Sequence, residues 1–365
     1  MKLHAATVLT LLALSACGPS TQPEPSKEDT TPPDLATLEQ YSKSLQQYVD
    51  AMLLCGSTQA RDWEDAKRQF DLLHPLYVFR EDPELIKQFK TGSETARKEL
   101  ARRGVLLRSL LIFGSGPYDR GKWEEARRTL LGAGEAGQVL LVTKLLRMLL
   151  NGQNQELWPH IRFTLVECGP LAAETTAGLA RQLADVAPAN SPVFHMDDLV
   201  QVMMTLIGFG DPGRPGLEEL AKSPKPNVRR ATAKAIGEAR DGLAAPTLVL
   251  LLNDPEYSVR ATAAEAAGAL ASARPTLGPA LVDRIGKERD PKVLEKVLRS
   301  IGDLYYADAI PDLIKVVEVP SRETADAAMQ ALYIITGEKY LRREQWVEWY
   351  RLKYADWKKR KEKSK

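Results

Sequence analysis

The residues of this chain whose types could do covalent or metal chemistry are few, and their spacing gives them little to do. His74, His160 and His195 lie far apart, and none has a second His or a Cys at the short spacing of a metal-ligand set. His195-Met196-Asp197-Asp198 brings an imidazole and two carboxylates together. Just ahead of an apolar helix starting at Leu199, that is the composition of a solvated helix cap. No Gly-x-Ser-x-Gly elbow is present, and no Cys stands beside a His. The run "GFGDPGRPG", Gly208 to Gly216, lacks the Gly-Lys-Ser/Thr ending that cradles phosphate and follows a helix rather than a strand. Carboxylates are plentiful, but at helical spacing beside Lys and Arg they make solvated faces. The expectation is a chain with no catalytic, cofactor or metal site, acting by binding and not as an enzyme.

One cysteine is different. Lys2 precedes an apolar run, Ala5 to Leu14, that is too short to cross a bilayer as a helix. Leu14-Ser15-Ala16 then leads to Cys17, and small residues closing an apolar run mark a secretory cleavage site. Leu-Ser-Ala-Cys resembles the lipobox of bacterial lipoprotein signals at all four positions. The resemblance implies cleavage before Cys17, a diacylglycerol on its sulfur and an acylated amino group, hence a membrane-anchored extracytoplasmic protein. Gly18 is not the Asp that holds many such proteins at the inner membrane, so the outer membrane facing the periplasm is the expected site in a host with two membranes. Gly18 to Asp34 carries Pro19, Pro23, Pro25, Pro32 and Pro33 among polar residues. Such a stretch stays extended at about 3 Å per residue, a tether of roughly 50 Å at most. No later apolar run is long enough to span a membrane, so the lipid is the expected attachment.

The rest of the chain is read as nearly all α-helix. Apolar residues recur at helical spacing from Leu35 to Trp357, and no alternating pattern of useful length interrupts them. The pattern repeats. Pro224 leads to Val228-Arg229 and Gly237, and Pro255 leads to Val259-Arg260 and Gly268 at the same offsets. Pro291 leads to Val293 and Gly302 two residues more tightly, Pro320 leads to Thr324 and Tyr333, and Gly208 suggests an earlier unit. Each unit is expected to be a helix, a turn and a second helix, with Pro in the first turn and Asp254 or Asp290 before it as the cap. The first helices are rich in Ala, which lets neighbouring axes approach, and the second helices carry the larger Leu, Val and Ile. On the first helix of one unit Val259, Ala263, Ala266, Ala267 and Leu270 share a face, so Ala267 is expected to be packed and Ala264 to lie off the face.

Pro-x-x-x-Val-Arg-x-x-Ala-x-x-Ala-[Ile/Ala]-Gly resembles the HEAT-repeat signature, in the short form named after phycobilisome lyases, from about Leu199 to Tyr350. The resemblance implies an α-solenoid in which that Arg braces neighbouring units through acidic partners; the lyase name is a label for the repeat and implies no bilin chemistry. Leu294 and Ala325 replace that Arg in the later units. It also implies a concave side lined by second helices, near Thr247, Asn253, Asp283, Lys287, Asp312 and Lys315. Their mixed charge suits a protein or peptide partner and not nucleic acid, in keeping with a net charge of only +2. Earlier in the chain, Trp63, Ala66, Phe70 and Leu73 are matched by Trp123, Ala126, Leu130 and Ala133 on one helical face. "YDRGKWEEARRTLL" resembles the second helix of a tetratricopeptide repeat, although degenerate HEAT units would read similarly.

The expected organisation is therefore a signal over 1–16, a lipidated tether over 17–34, helical repeats over 35–198, a HEAT solenoid over 199–357 and a basic tail over 358–365. Trp346, Trp349, Tyr350, Tyr354 and Trp357 form a stripe expected to cap the last repeat. The tail "KKRKEKSK" reads as a frayed, solvated end, with anionic docking as the alternative. Cys55 and Cys168 read as buried thiols, although an oxidising compartment would permit them to pair. The functional expectation is a lipid-anchored envelope scaffold with no cofactor. Its rivals are an envelope-assembly factor docking through the N-terminal repeats and an enzyme, or an enzyme's accessory subunit, with an unrecognised site.

Overall fold

The computed structural model describes residues 35–72, 82–113, 117–150, 155–187, 196–319 and 321–363. Cys17, the signal and tether, Leu73, His74, His195, Pro320 and Lys365 lie outside them. The described chain is all α, with no strand among the described residues. It divides into two compact units, Met1–Thr164 and Leu165–Lys365.

The first unit contains α1 (Leu35–Leu54), α2 (Ala60–Leu72), α3 (Asp82–Lys90), α4 (Glu94–Ile112), α5 (Arg120–Gly132), α6 (Glu135–Leu150) and most of α7 (Trp158–Glu167). Tyr48, Met52, Cys55, Ala66, Phe70, Phe89 and Leu100 form a core between α1 and α4. Edge-on rings link Tyr48 to Phe70 at 5.8 Å and Phe70 to Phe89 at 6.2 Å. The sequence match between α2 and α5 has a physical basis. Ala66 and Phe70 are buried on one helix, and Trp123, Ala126 and Leu130 on the other. Ser93 caps α4 through the Ala96 N–H, and Asp119 caps α5 through the Lys122 N–H.

The second unit is a stack of helix pairs. After α8 (Pro170–Val186) come α9 (Met196–Gly208) with α10 (Arg214–Ala221), α11 (Pro226–Ala239) with α12 (Ala245–Leu251), and α13 (Tyr257–Gly268) with α14 (Arg274–Lys287). Then come α15 (Pro291–Asp303) with α16 (Ile310–Val317), and α17 (Arg322–Thr336) with α18 (Arg343–Lys363). First helices pack on first helices in the order α9, α11, α13, α15, α17, and second helices α10, α12 and α14 follow one another likewise. This is the expected α-solenoid, each pair burying its apolar face only against its neighbours. Helix α8 packs on α9 and α10. The second compact unit thus includes α8, one helix ahead of the repeats read from Leu199 onward. Ala172, Ala173, Ala177 and Ala180 bury α8 in the stack without the Pro and Val-Arg that mark the later units.

The structure resets the register of the repeats. Helix α11 starts at Pro226 and α13 at Tyr257, so Pro224 and Pro255 lie in the preceding loops and are exposed. Pro291 is the first residue of α15 and matches Pro226. In α11, α13 and α15 alike, Val stands two residues after the first helical position and Gly eleven after it, which removes the apparent two-residue contraction. Val228, Val259 and Val293 are fully buried. Asp290 caps α15 as expected, accepting from the Lys292 and Val293 N–H groups. Asp254 does not cap α13, whose cap is Glu256. Two residues too far from the helix start, Asp254 turns inward to meet Arg229.

The glycines explain the small side chains. A Cβ on Gly237 would stand 2.9 Å from Ala266 Cα of the next first helix, one on Gly268 3.1 Å from Ser300 Cα, and one on Gly302 3.1 Å from Ala331 Cα. Each first helix thus receives the next almost backbone to backbone. Ser300 Oγ also donates to the Ala264 carbonyl at 2.7 Å, a buried bond from α15 to α13. Ala264 is fully buried, as is Ala267. The expectation that Ala264 lies off the packed face is wrong, because an internal first helix is covered on two sides, by the units before and after it.

Candidate functional site

The loops between units are fixed by a series of cations. Arg229 forms a two-pronged ion pair with Asp254, at 2.6 and 2.8 Å, and donates to the Ser223 carbonyl. Arg260 repeats the arrangement one unit on, pairing with Glu288 at 2.8 and 2.8 Å and donating to the Asp254 and Pro255 carbonyls. The planar fork of Arg fits a carboxylate in this way, where the point charge of Lys does not. Arg284 adds a second guanidinium to Glu288 at 3.0 Å. Burial pushes the Glu288 carboxyl up, but hydrogen bonds from Arg260 and from the Asp290 and Arg289 N–H groups outweigh it and hold its pKa at about 2. Where Leu294 and Ala325 stand in for the Arg, the last loop is held instead by Arg343 of α18, which donates to the Val319 and Ser321 carbonyls. These contacts brace the stack and leave the second helices free to present a surface.

On that surface the six expected partner-binding residues separate. Thr247 is buried on α12, at the floor of the hollow between α10 and α12. Asn253 is exposed, with its amide donating back to the Val249 carbonyl. Asp283 and Lys287 pair with each other on the outside of α14 at 2.6 Å, and Asp312 with Lys315 on α16 at 2.8 Å. Five of the six therefore face solvent at least in part, four of them as two intrahelical pairs.

Sequence reasoning missed the apolar residues of this side. Leu243 is 63 % exposed and Leu250 47 % exposed. Leu243 lies with Ile207, Arg214, Leu217 and Asp241 around a shallow hollow between successive units. Leu250 was findable, since it falls outside the face shared by Leu248, Leu251 and Leu252. A second hollow opens between α16 and α18, where Val317, Val347 and Leu352 form an apolar strip beside Glu318, Glu344, Glu348 and Arg351.

Other candidate chemistry stays dispersed. His160 stacks on Tyr118, with ring centroids 3.6 Å apart. Among the described residues, no three His, Cys, Asp or Glu side chains converge as a metal-holding group. Cys55 and Cys168 are both buried as free thiols, and burial pushes the Cys55 thiol up to about 12.

With the ladder of helices, the glycine contacts and the Arg-carboxylate braces in view, the comparison with known families is decisive for this stretch. Residues 214–290 match the family model of HEAT repeats. Among curated proteins, none matches the chain. The matched HEAT repeats run from α10 to Asp290, the cap of α15. The packing continues beyond them, for α15 lies on α13 and α17 on α15 just as α13 lies on α11. The HEAT repeats make this part of the chain a scaffold of the kind used for protein interaction.

Proposed function

We propose that the protein is a lipid-anchored, extracytoplasmic scaffold that binds a protein or peptide partner along the second helices of its HEAT repeats and performs no catalysis. The observation that carries this reading is the set of exposed apolar side chains Leu243, Leu250 and Leu352, with the hollow between α16 and α18 that sets Leu352 beside charges of both signs. A hollow of that make-up suits a peptide or helix with its own apolar anchors and mixed charge, and it suits a polyanion poorly. The anchor rests on Leu14-Ser15-Ala16-Cys17 and the Pro-rich segment after it. Several acyl chains make a stable attachment where one is marginal. A Cys17 anchor with Gly18 beside it supports an outer-membrane protein facing the periplasm, if the host has two membranes.

The experiment places a photo-crosslinking amino acid at Leu243, Leu250 or Leu352, or at Glu265 on an exposed first-helix position, in cells producing the full chain. Crosslinks to one common partner from Leu243, Leu250 and Leu352, and none from Glu265, are expected. Crosslinks from Glu265 alone, or from none of the four positions, overturn the reading. Mass spectrometry of the mature N-terminus tests the anchor separately: an unmodified Cys17 removes it.

A further inference from the structure

Helix α18 continues without a break to Lys363, although its last buried residue is Trp357. Beyond that tryptophan a helical stub carries Lys358, Lys359, Arg360 and Lys361, all exposed, and the sequence adds Lys363 and Lys365. Glu362 is the one acid in the segment. Lys358 and Lys359 make no ion pair among the described residues, and Lys361 stands 5.9 Å from the Trp357 ring centre.

We propose that this stub is a cationic foot that rests on an anionic lipid surface. The proposal deepens the reading above, on which Cys17 keeps the chain beside a bilayer. The argument lies in the arrangement of the charges. Successive helical residues turn by about 100°, so four cations in a row point in every direction around the axis. A shaped pocket on a protein can meet only one face of such a helix and would leave most of the charge unused. A diffuse anionic surface attracts all the charges within a screening length, whichever way they point. Basic residues held near an anionic membrane add favourably and roughly independently. The stub also has no apolar face to insert, so the contact is electrostatic and peripheral. A tether of roughly 50 Å at most, from Cys17 to α1, keeps the protein near the bilayer and raises the local concentration of lipid headgroups.

The test uses the purified full chain with Cys17→Ser, so that no acyl chain contributes, and measures co-sedimentation with vesicles. Binding is expected to vesicles containing about 30 % phosphatidylglycerol and not to pure phosphatidylcholine, with release in high salt. Converting Lys358, Lys359 and Lys361 to Glu together should lower the partition coefficient at least about a hundredfold, at roughly fivefold per lysine. Thermal melts of the two chains should coincide, since the packed part of α18 ends before the substitutions. Failure to bind anionic vesicles, or binding that the charge reversal leaves unchanged, overturns the proposal. So does tighter, tail-dependent binding to an acidic peptide or to a DNA duplex than to the vesicles. The Cys17→Ser background keeps the outcome distinct from the fate of the anchor, which the N-terminal mass of the wild-type chain reads on its own.

Discussion

Arg260 and Glu288 are the most consequential pair in the second unit, because the Glu288 side chain is fully buried in their contact. Replacing Arg260 by Ala leaves a buried carboxylate short of its fork, and losing one partner of such a pair costs about 3–5 kcal/mol. The urea midpoint should fall accordingly, and replacing both residues by Met and Leu should recover most of the loss. A second prediction follows from the folded Glu288 pKa of about 2, against an ordinary value of 4.5. A depressed carboxyl contributes stability that is full above its unfolded pKa and is lost as pH falls toward the folded one. The midpoint should therefore hold steady above pH ~5 and fall between pH ~4.5 and ~2, with a shallower fall in Glu288→Gln. A stability curve of equal steepness in wild type and variant would refute the assignment. The sequence made the type of brace legible through the Val-Arg signature but not its partners. Asp254 reads as a helix cap by position, and only the two-residue shift of the helix start turns it toward Arg229.

Helix α13 shows what a single element can reveal in sequence and what it cannot. Its apolar periodicity marks one buried face, but burial of Ala264 comes from a second face supplied by α15, through a hydrogen bond that no local pattern announces. Leucine at Ala264 should thus cost about 1–3 kcal/mol, as at Ala267, while leucine at the exposed Ala269 should stay within about half a kcal/mol. Denaturant midpoints of the three variants separate these outcomes, and a tolerated Ala264→Leu would mean that α13 and α15 do not approach as described. The aromatic stripe of α18 was more transparent. Trp346, Trp349 and Trp357 are buried, and Trp346 Nε1 donates to the Tyr340 carbonyl at 3.2 Å, so the stripe closes the last unit. Trp349→Ala should cost about 3–5 kcal/mol. Deleting Lys358 to Lys365 should leave the melt unchanged, which separates the cap from the cationic stub on the same helix.

At the scale of the chain, the repeats were readable where Pro, Val and Gly recur, and the start of the stack was not, because α8 joins it through small residues alone. A fragment over 165–365 should fold with a cooperative helical melt. One over 199–365 should melt markedly lower, because it uncovers the faces of α9 and α10 that α8 buries. Equal melting of the two would place α8 outside the stack. The close helix-to-helix seats at Gly237, Gly268 and Gly302 also have a counterpart that is missing. At the matching position of α17 stands Tyr333, 44 % exposed, with Lys339 Nζ 6.0 Å from its ring centre. A first helix seated on α17 would meet a phenol ring where the seams at Gly237, Gly268 and Gly302 offer bare backbone. A unit copied from within 226–303 would bring its own glycine seat with it, whereas a helix stacked on α17 would first have to displace the Tyr333 ring.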